Sequence, residues 1–384
     1  MTRLITIFLF FVGSVNSISA QKYERYKKLI DTTIFSKSLG FEKKITITVP
    51  VEWQKDINRD FPLILIFDQQ NQRSHNYIIN TVDYLTSNEQ MPSSIMVSIE
   101  SDETHRLPET LHKESGKNGL ARENEQFLFD ELIPLLEKKY KANSFRVFVG
   151  HSRFGYFTTS LLSHRINELN AVIAISPFFS QENVNLVDSI ASLSGQIISN
   201  KTFFRFAIGG DFPKDYYKMD SLIKTLSIQN FDAKGTIFPQ ADHNVTPGLT
   251  IATSLYEVFE YWSKNQNNYL DNYITDLNIL DSLEKVVTSF YGKNLKFSLG
   301  VLNGKGWYYY GEEQYENAIK AWEILLKSYP NFSEGYMYII EAQKLLKVDY
   351  SKNVLKLKES LKSSTFYTNE EKKEIENELE KLMK

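Results

Sequence analysis

At 384 residues the chain is long enough for two folded units, and its 42% hydrophobic and 14% aromatic content excludes a disordered or fibrous protein. A net charge of -3 offers no general attraction for nucleic acid or anionic lipid. With no cysteine, disulfides, thiolate metal sites and a cysteine nucleophile are excluded, so any nucleophile is an oxygen or an amine.

The first predicted element is an export signal. Arg3 is followed by an apolar run from Leu4 to Val12 and by small residues up to Ala20. The run is shorter than the ~20 residues a membrane-spanning helix needs. Cleavage after Ala20, no lasting membrane insertion and a periplasmic or secreted protein are therefore expected.

Between Ile45 and Ala252, short β-rich runs alternate with longer helical stretches, the pattern of a mostly parallel sheet with helical crossovers. Strands are expected at Ile45 to Val51, Leu63 to Phe67, Ile95 to Ile99, Val147 to Val149, Ala171 to Ile175, Phe203 to Ile208 and Gly235 to Phe238. Helices are expected at Glu123 to Tyr140, with an apolar stripe of Phe127, Leu128, Leu132, Leu135 and Leu136, and at Phe157 to Leu162, Tyr216 to Gln229 and Leu249 to Trp262. The fold class is α/β, residues 21 to 262 forming one domain.

The polar stretch Lys264-Asn265-Gln266-Asn267-Asn268 reads as the end of that alternation, and no strand is expected after it. Residues 263 to 384 form a small all-α domain. Within it Gly306, Tyr309, Tyr315, Ala318, Trp322 and Pro330 resemble one tetratricopeptide repeat, and such a unit offers a surface for a protein partner. Every candidate for chemistry lies before it, so it is expected to be dispensable for catalysis.

The strongest local signal is Val147-Phe148-Val149-Gly150-His151-Ser152-Arg153-Phe154-Gly155, a strand running through Ser152 into a helix. That is the setting of a nucleophile elbow, in which a tight turn exposes the serine hydroxyl above the sheet. The usual spacing is Gly-x-Ser-x-Gly, and here Phe154 holds the second glycine position. Its side chain must turn away from the strand-helix contact, or the turn must differ.

A serine needs a base. Of six histidines, His243 follows the last expected strand, the place of the histidine when serine, acid and histidine come in that chain order. The acid then lies in Gly209 to Asp215, with Asp211 nearest the strand end as first candidate and Asp215 as second. Backbone N–H groups of Arg153 and of Gln69 are the candidate oxyanion donors.

These residues resemble the esterases of the esterase D type, which include siderophore esterases and feruloyl-esterase-like enzymes of the α/β-hydrolase superfamily. The likeness covers about residues 42 to 262. It is carried by Ile47 to Pro50, Phe61 to Asp68, Phe127 to Pro134, Gly150-His151-Ser152, Ile175-Ser176-Pro177 and Asp242-His243. It implies hydrolysis of a small-molecule or oligomeric carboxylic ester by Ser152, His243 and an acid, and it makes Asp102 to Pro108 a wall of the substrate cleft, with His105 and Arg106 facing substrate.

No cofactor, metal or nucleic acid is implied, because neither a His-Glu-x-x-His spacing nor a phosphate-binding glycine loop occurs. Two other readings stay open at this point. One is a degenerate hydrolase used for binding, and the other is an adaptor working through the helical domain.

Overall fold

The computed structural model describes residues 25–55, 58–271, 279–364 and 366–384, so the export signal and its cleavage point lie outside the described residues. Strands β1 (Tyr26–Phe35), β2 (Glu42–Pro50), β3 (Phe61–Phe67), β4 (Ile95–Ile99), β5 (Ala142–His151) and β6 (Ala171–Ile175) come first in the chain. A two-residue ribbon, β7 (Ser180–Gln181) and β8 (Val184–Asn185), precedes β9 (Ile197–Ile208) and β10 (Gln229–Ile237). Eight of these form one sheet in the order β1-β2-β4-β3-β5-β6-β9-β10. Within this sheet the β1/β2 and β2/β4 pairs are antiparallel and the others are parallel.

Strands β3, β4 and β6 are buried along their whole length, as apolar strands covered on both faces must be. Their period of two splits them between two cores. Ile64, Ile66, Val147, Val149 and Ile173 pack with Ile78, Val82, Val258 and Trp262 of helices Gln72–Ser87 and Thr246–Leu270. Leu63, Leu65, Phe67, Phe148 and Val172 face the other way, toward helices of 121–140, Arg153–Arg165 and Pro213–Thr225. Phe127, Leu128, Leu132 and Leu136 of the expected stripe are buried there, with a π-helical turn over Phe127–Leu132. The layout is that of an α/β hydrolase.

Three local expectations are corrected. Strand β1 was not anticipated; it is an edge strand with only Tyr26 fully buried, and an edge needs no apolar run. The helix expected to reach Gln229 stops at Thr225, and Gln229 already belongs to β10. The polar stretch 264–268 is not a break but part of the last turns of helix Thr246–Leu270.

The reason for that continuation is hydrogen bonding. Gln266 is buried, donates to the Glu89 carbonyl at 3.0 Å and accepts from the Ser298 N–H at 3.1 Å, joining the sheet-bearing part to the following helices. Beyond it all described elements are helices: Ile279–Tyr291, Leu299–Gly311, Tyr315–Ser328, Glu334–Leu345, Ser351–Ser363 and Asn369–Met383. Their core runs into the sheet core without interruption. Tyr291 donates its hydroxyl to the Val258 carbonyl at 3.1 Å and lies 5.0 Å from the ring of Phe145 on β5. Among the described residues no helix is long and apolar enough to cross a membrane.

Candidate active site

Strand β5 ends at His151 and the next helix begins at Arg153, so Ser152 alone turns the chain. Its backbone is left-handed, φ 58° and ψ -118°, a conformation that costs a non-glycine residue about 1–3 kcal/mol and recurs at functional turns. Two hydrogen bonds hold it: its N–H donates to the Ile175 carbonyl at 2.8 Å, and its carbonyl accepts from the Tyr156 N–H at 3.0 Å. Gly150 is required by the tightness of the turn, since a Cβ there would lie 2.2 Å from the Phe154 carbonyl oxygen.

The Phe154 side chain leaves the turn at Gly150 and packs into the layer between its helix and the sheet. Its ring is buried against Phe67, 4.8 Å between centroids and nearly parallel, with the edge of Phe157 at 6.0 Å. The elbow is therefore built on Gly150, and the missing second glycine is replaced by a core side chain.

The loops after β9 and β10 are brought together by the Gly209-Gly210 pair. A Cβ on Gly210 would meet the Pro239 carbonyl at 2.7 Å, and the Gly210 N–H donates to the Ala241 carbonyl at 2.9 Å. This contact sets Asp211 beside His243, with Oδ2 2.5 Å from Nδ1. Asp215 is elsewhere, accepting from the Phe179 N–H at 3.1 Å. His151 backs the histidine loop: Nε2 donates to the His243 carbonyl at 3.0 Å and the two rings lie 4.6 Å apart. Burial, and then the neighbouring His243, hold the His151 imidazole below its ordinary value. Among the described residues, no hydrogen bond joins Ser152 to His243; such bonds are commonly loose in a site without substrate.

The oxyanion side differs from expectation. Arg153 is the first residue of its helix, where an N–H has no partner within the helix and is free to face a developing charge. Gln69 is not so placed. Its N–H donates to the Ile99 carbonyl at 3.2 Å, extending the β3/β4 ladder past the strand end, and its side chain is turned to Thr46 at 2.6 Å.

The cleft-wall residues are also engaged within the protein. Arg106 grips the buried Asp68 with two parallel bonds, Nε to Oδ1 at 2.8 Å and Nη2 to Oδ2 at 2.7 Å, and these hold its guanidinium above the usual range. His105 stacks on Phe41 at 3.9 Å and bonds Asp102 at 2.8 Å, which keeps that carboxyl below the ordinary carboxylate range. The wall is anchored by a pair that the sequence did not reveal, Lys43 and Glu109, fully buried with Nζ 2.6 Å from Oε1.

Other site residues missed by sequence reasoning are aromatic. Phe178 lies under the Arg153 guanidinium at 5.9 Å and stacks on Tyr156 at 5.0 Å. Phe212 presents its ring edge-on to both Phe178, at 6.4 Å, and His243, at 6.0 Å. Proximity of Phe212 to Asp211 in the chain was the one available signal. Among the described residues no group of three or more His, Asp or Glu side chains could hold a metal ion.

Comparison with known proteins agrees with this architecture. The family described as Putative esterase matches residues 36–236, more than half of the 384. An IroE-like serine hydrolase from Shewanella oneidensis superposes with a TM-score of 0.61 at 16% identity, over 80% of this chain and 100% of its own. An uncharacterised protein from Capnocytophaga ochracea gives 0.60 at 15%, over 91% and 99%, and the siderophore hydrolase EstB from Aspergillus nidulans gives 0.50 at 15%, over 65% and 96%. At these identities the likeness is one of fold. No curated protein matches the chain. On the strength of a match spanning more than half its length, the chain belongs to this esterase family.

Proposed function

We propose that the protein is a serine hydrolase that cleaves carboxylic esters through an acyl-enzyme, with Ser152 as nucleophile, His243 as base and Asp211 as the residue orienting it. The observation that carries this reading is the left-handed Ser152 at a helix N-terminus, with an Asp211–His243 pair built on the loops that follow β9 and β10. Asp211 accepts a hydrogen bond from the Nδ1–H of His243, which keeps the proton on Nδ1 and leaves Nε2 as the basic nitrogen. That nitrogen takes the Ser152 proton as Oγ bonds to the ester carbonyl carbon, and the carbonyl π pair moves onto oxygen at the helix N-terminus. Collapse breaks the ester bond, the alcohol leaves with the proton from His243, and water repeats the sequence on the acyl group. A small-molecule ester substrate is in keeping with a serine hydrolase and a siderophore hydrolase among the structural neighbours.

Residues 1–20 are read as an export signal, placing the enzyme in the periplasm or outside the cell, and N-terminal sequencing of the native protein should begin at Gln21. The helical region from 263 is read as a tetratricopeptide-like extension. One observation favours a second reading, a binding protein on a hydrolase scaffold: the Gln69 N–H is occupied by Ile99. A fluorophosphonate probe separates the two, because labelling needs an activated serine hydroxyl beside oxyanion donors. Labelling at Ser152 that is lost in His243→Ala supports the enzyme. Folded wild-type protein that resists the probe and hydrolyses no aryl ester supports the binding protein.

A further inference from the structure

We propose that the Arg153 side chain determines substrate choice by binding a carboxylate carried on the acyl part of the ester; the inference rests on the serine-hydrolase reading and names its substrate class. Arg153 follows the nucleophile directly and is half-buried. Among the described residues its guanidinium has no carboxylate or carbonyl partner, and it lies over the face of Phe178 at 5.9 Å. A guanidinium removed in part from water without a counterion gains from any ligand that supplies one, and a carboxylate matches its planar fork.

The groups that the guanidinium meets are aromatic or cationic. Arg106, which sequence reasoning assigned to substrate, is occupied by Asp68, yet its charge is still felt at Arg153. Burial and then Arg106 hold the Arg153 guanidinium below its usual range. Of these two neighbouring guanidinium groups, only that of Arg106 has a carboxylate partner among the described residues. From Arg153 to His243 the floor is aromatic, through Phe178 and Phe212. An acyl chain lying on those rings, with its ester at Ser152, brings a terminal carboxylate to Arg153.

Two esters of equal chain length and the same leaving group test this: the mono-4-nitrophenyl ester of adipate, and 4-nitrophenyl hexanoate. Rates are taken above the Ser152→Ala control. The wild type should favour the adipate ester by about tenfold in kcat/KM at low salt, the scale of one hydrogen bond to a charged group. The preference should shrink as salt rises. The ratio should fall to about one in Arg153→Gln and recover in part in Arg153→Lys, whereas a merely structural arginine would change both rates together. A wild-type ratio near one, or a ratio unmoved by Arg153→Gln, overturns the inference while leaving the hydrolase intact. Failure to turn over either ester above the control overturns the hydrolase reading and this inference with it.

Discussion

The ring of Phe154 lies on that of Phe67, 4.8 Å between centroids with planes 13° apart, so the residue two after the serine belongs to the core. The Gly-x-Ser-x-Gly spacing is usually explained by crowding in the turn. Here the crowding falls on Gly150, and the second position is free to hold a packed aromatic side chain.

Restoring the usual motif should therefore harm the protein. Phe154→Gly leaves a cavity between Phe67 and Phe157 and is expected to lower stability by about 3–5 kcal/mol, as for other buried phenylalanine truncations. Urea denaturation measures this. A variant as stable as the wild type would show that the Phe67 stack contributes nothing.

The triad assignment makes a graded prediction. Ser152→Ala and His243→Ala should each remove ester turnover by ~10⁴-fold or more, since members of such a unit fail together. Asp211→Asn should cost ~10²- to 10⁴-fold, because it orients the imidazole and stabilises its charged form. Asp215→Asn should touch turnover far less, as its carboxylate serves the Phe179 N–H. Steady-state kinetics on purified folded variants decide the order, and equal losses for the two aspartates would contradict the assignment.

Stability should depend on pH in a definite direction. His75, His112 and His151 are each held below the ordinary imidazole value of 6.5, burial being the first cause in all three. Between the folded and unfolded pKa values the unfolded chain binds more protons, so stability rises with pH there. The full contribution is present above about pH 6.5 and is lost as pH falls below it toward the folded values. Denaturation midpoints between pH 8 and pH 5 should drop accordingly, and His151→Asn should show a shallower slope below pH 6.5. A flat profile in the wild type would refute the argument.

The helical region is expected to be needed for folding even though it carries no triad candidate. A chain ending at Asn265 loses Tyr269, Tyr291 and Phe297, which cover Trp262, Phe259 and Phe145. It also loses the Tyr291 bond to Val258 and the Asn143 bond to the Tyr291 carbonyl at 3.0 Å. Size-exclusion chromatography and thermal melting of the truncated chain should show aggregation or a strongly lowered Tm. A monomer with the wild-type Tm would restore the expectation of a dispensable tail.

Local signals made much of this protein legible from its residues alone. Near-continuous apolar runs marked the buried strands β3, β4 and β6, because a strand covered on both faces has no polar side to show. The serine between a strand and a helix, and a histidine after the last strand, followed from chain order. Other features depended on contacts between distant segments, which leave no periodic trace. The polar edge strand β1 pairs with β2 without an apolar run, and the buried Gln266 joins two parts of the core while looking like a loop residue. That Asp211 rather than Asp215 lies beside His243 depends on the approach of the β9 and β10 loops at Gly210, and the Gln69 N–H is taken up by a carbonyl of β4. Where Phe154 points was decided by Phe67, 87 residues away: composition and spacing report what a residue is and how often it recurs, and only packing fixes which partner satisfies it.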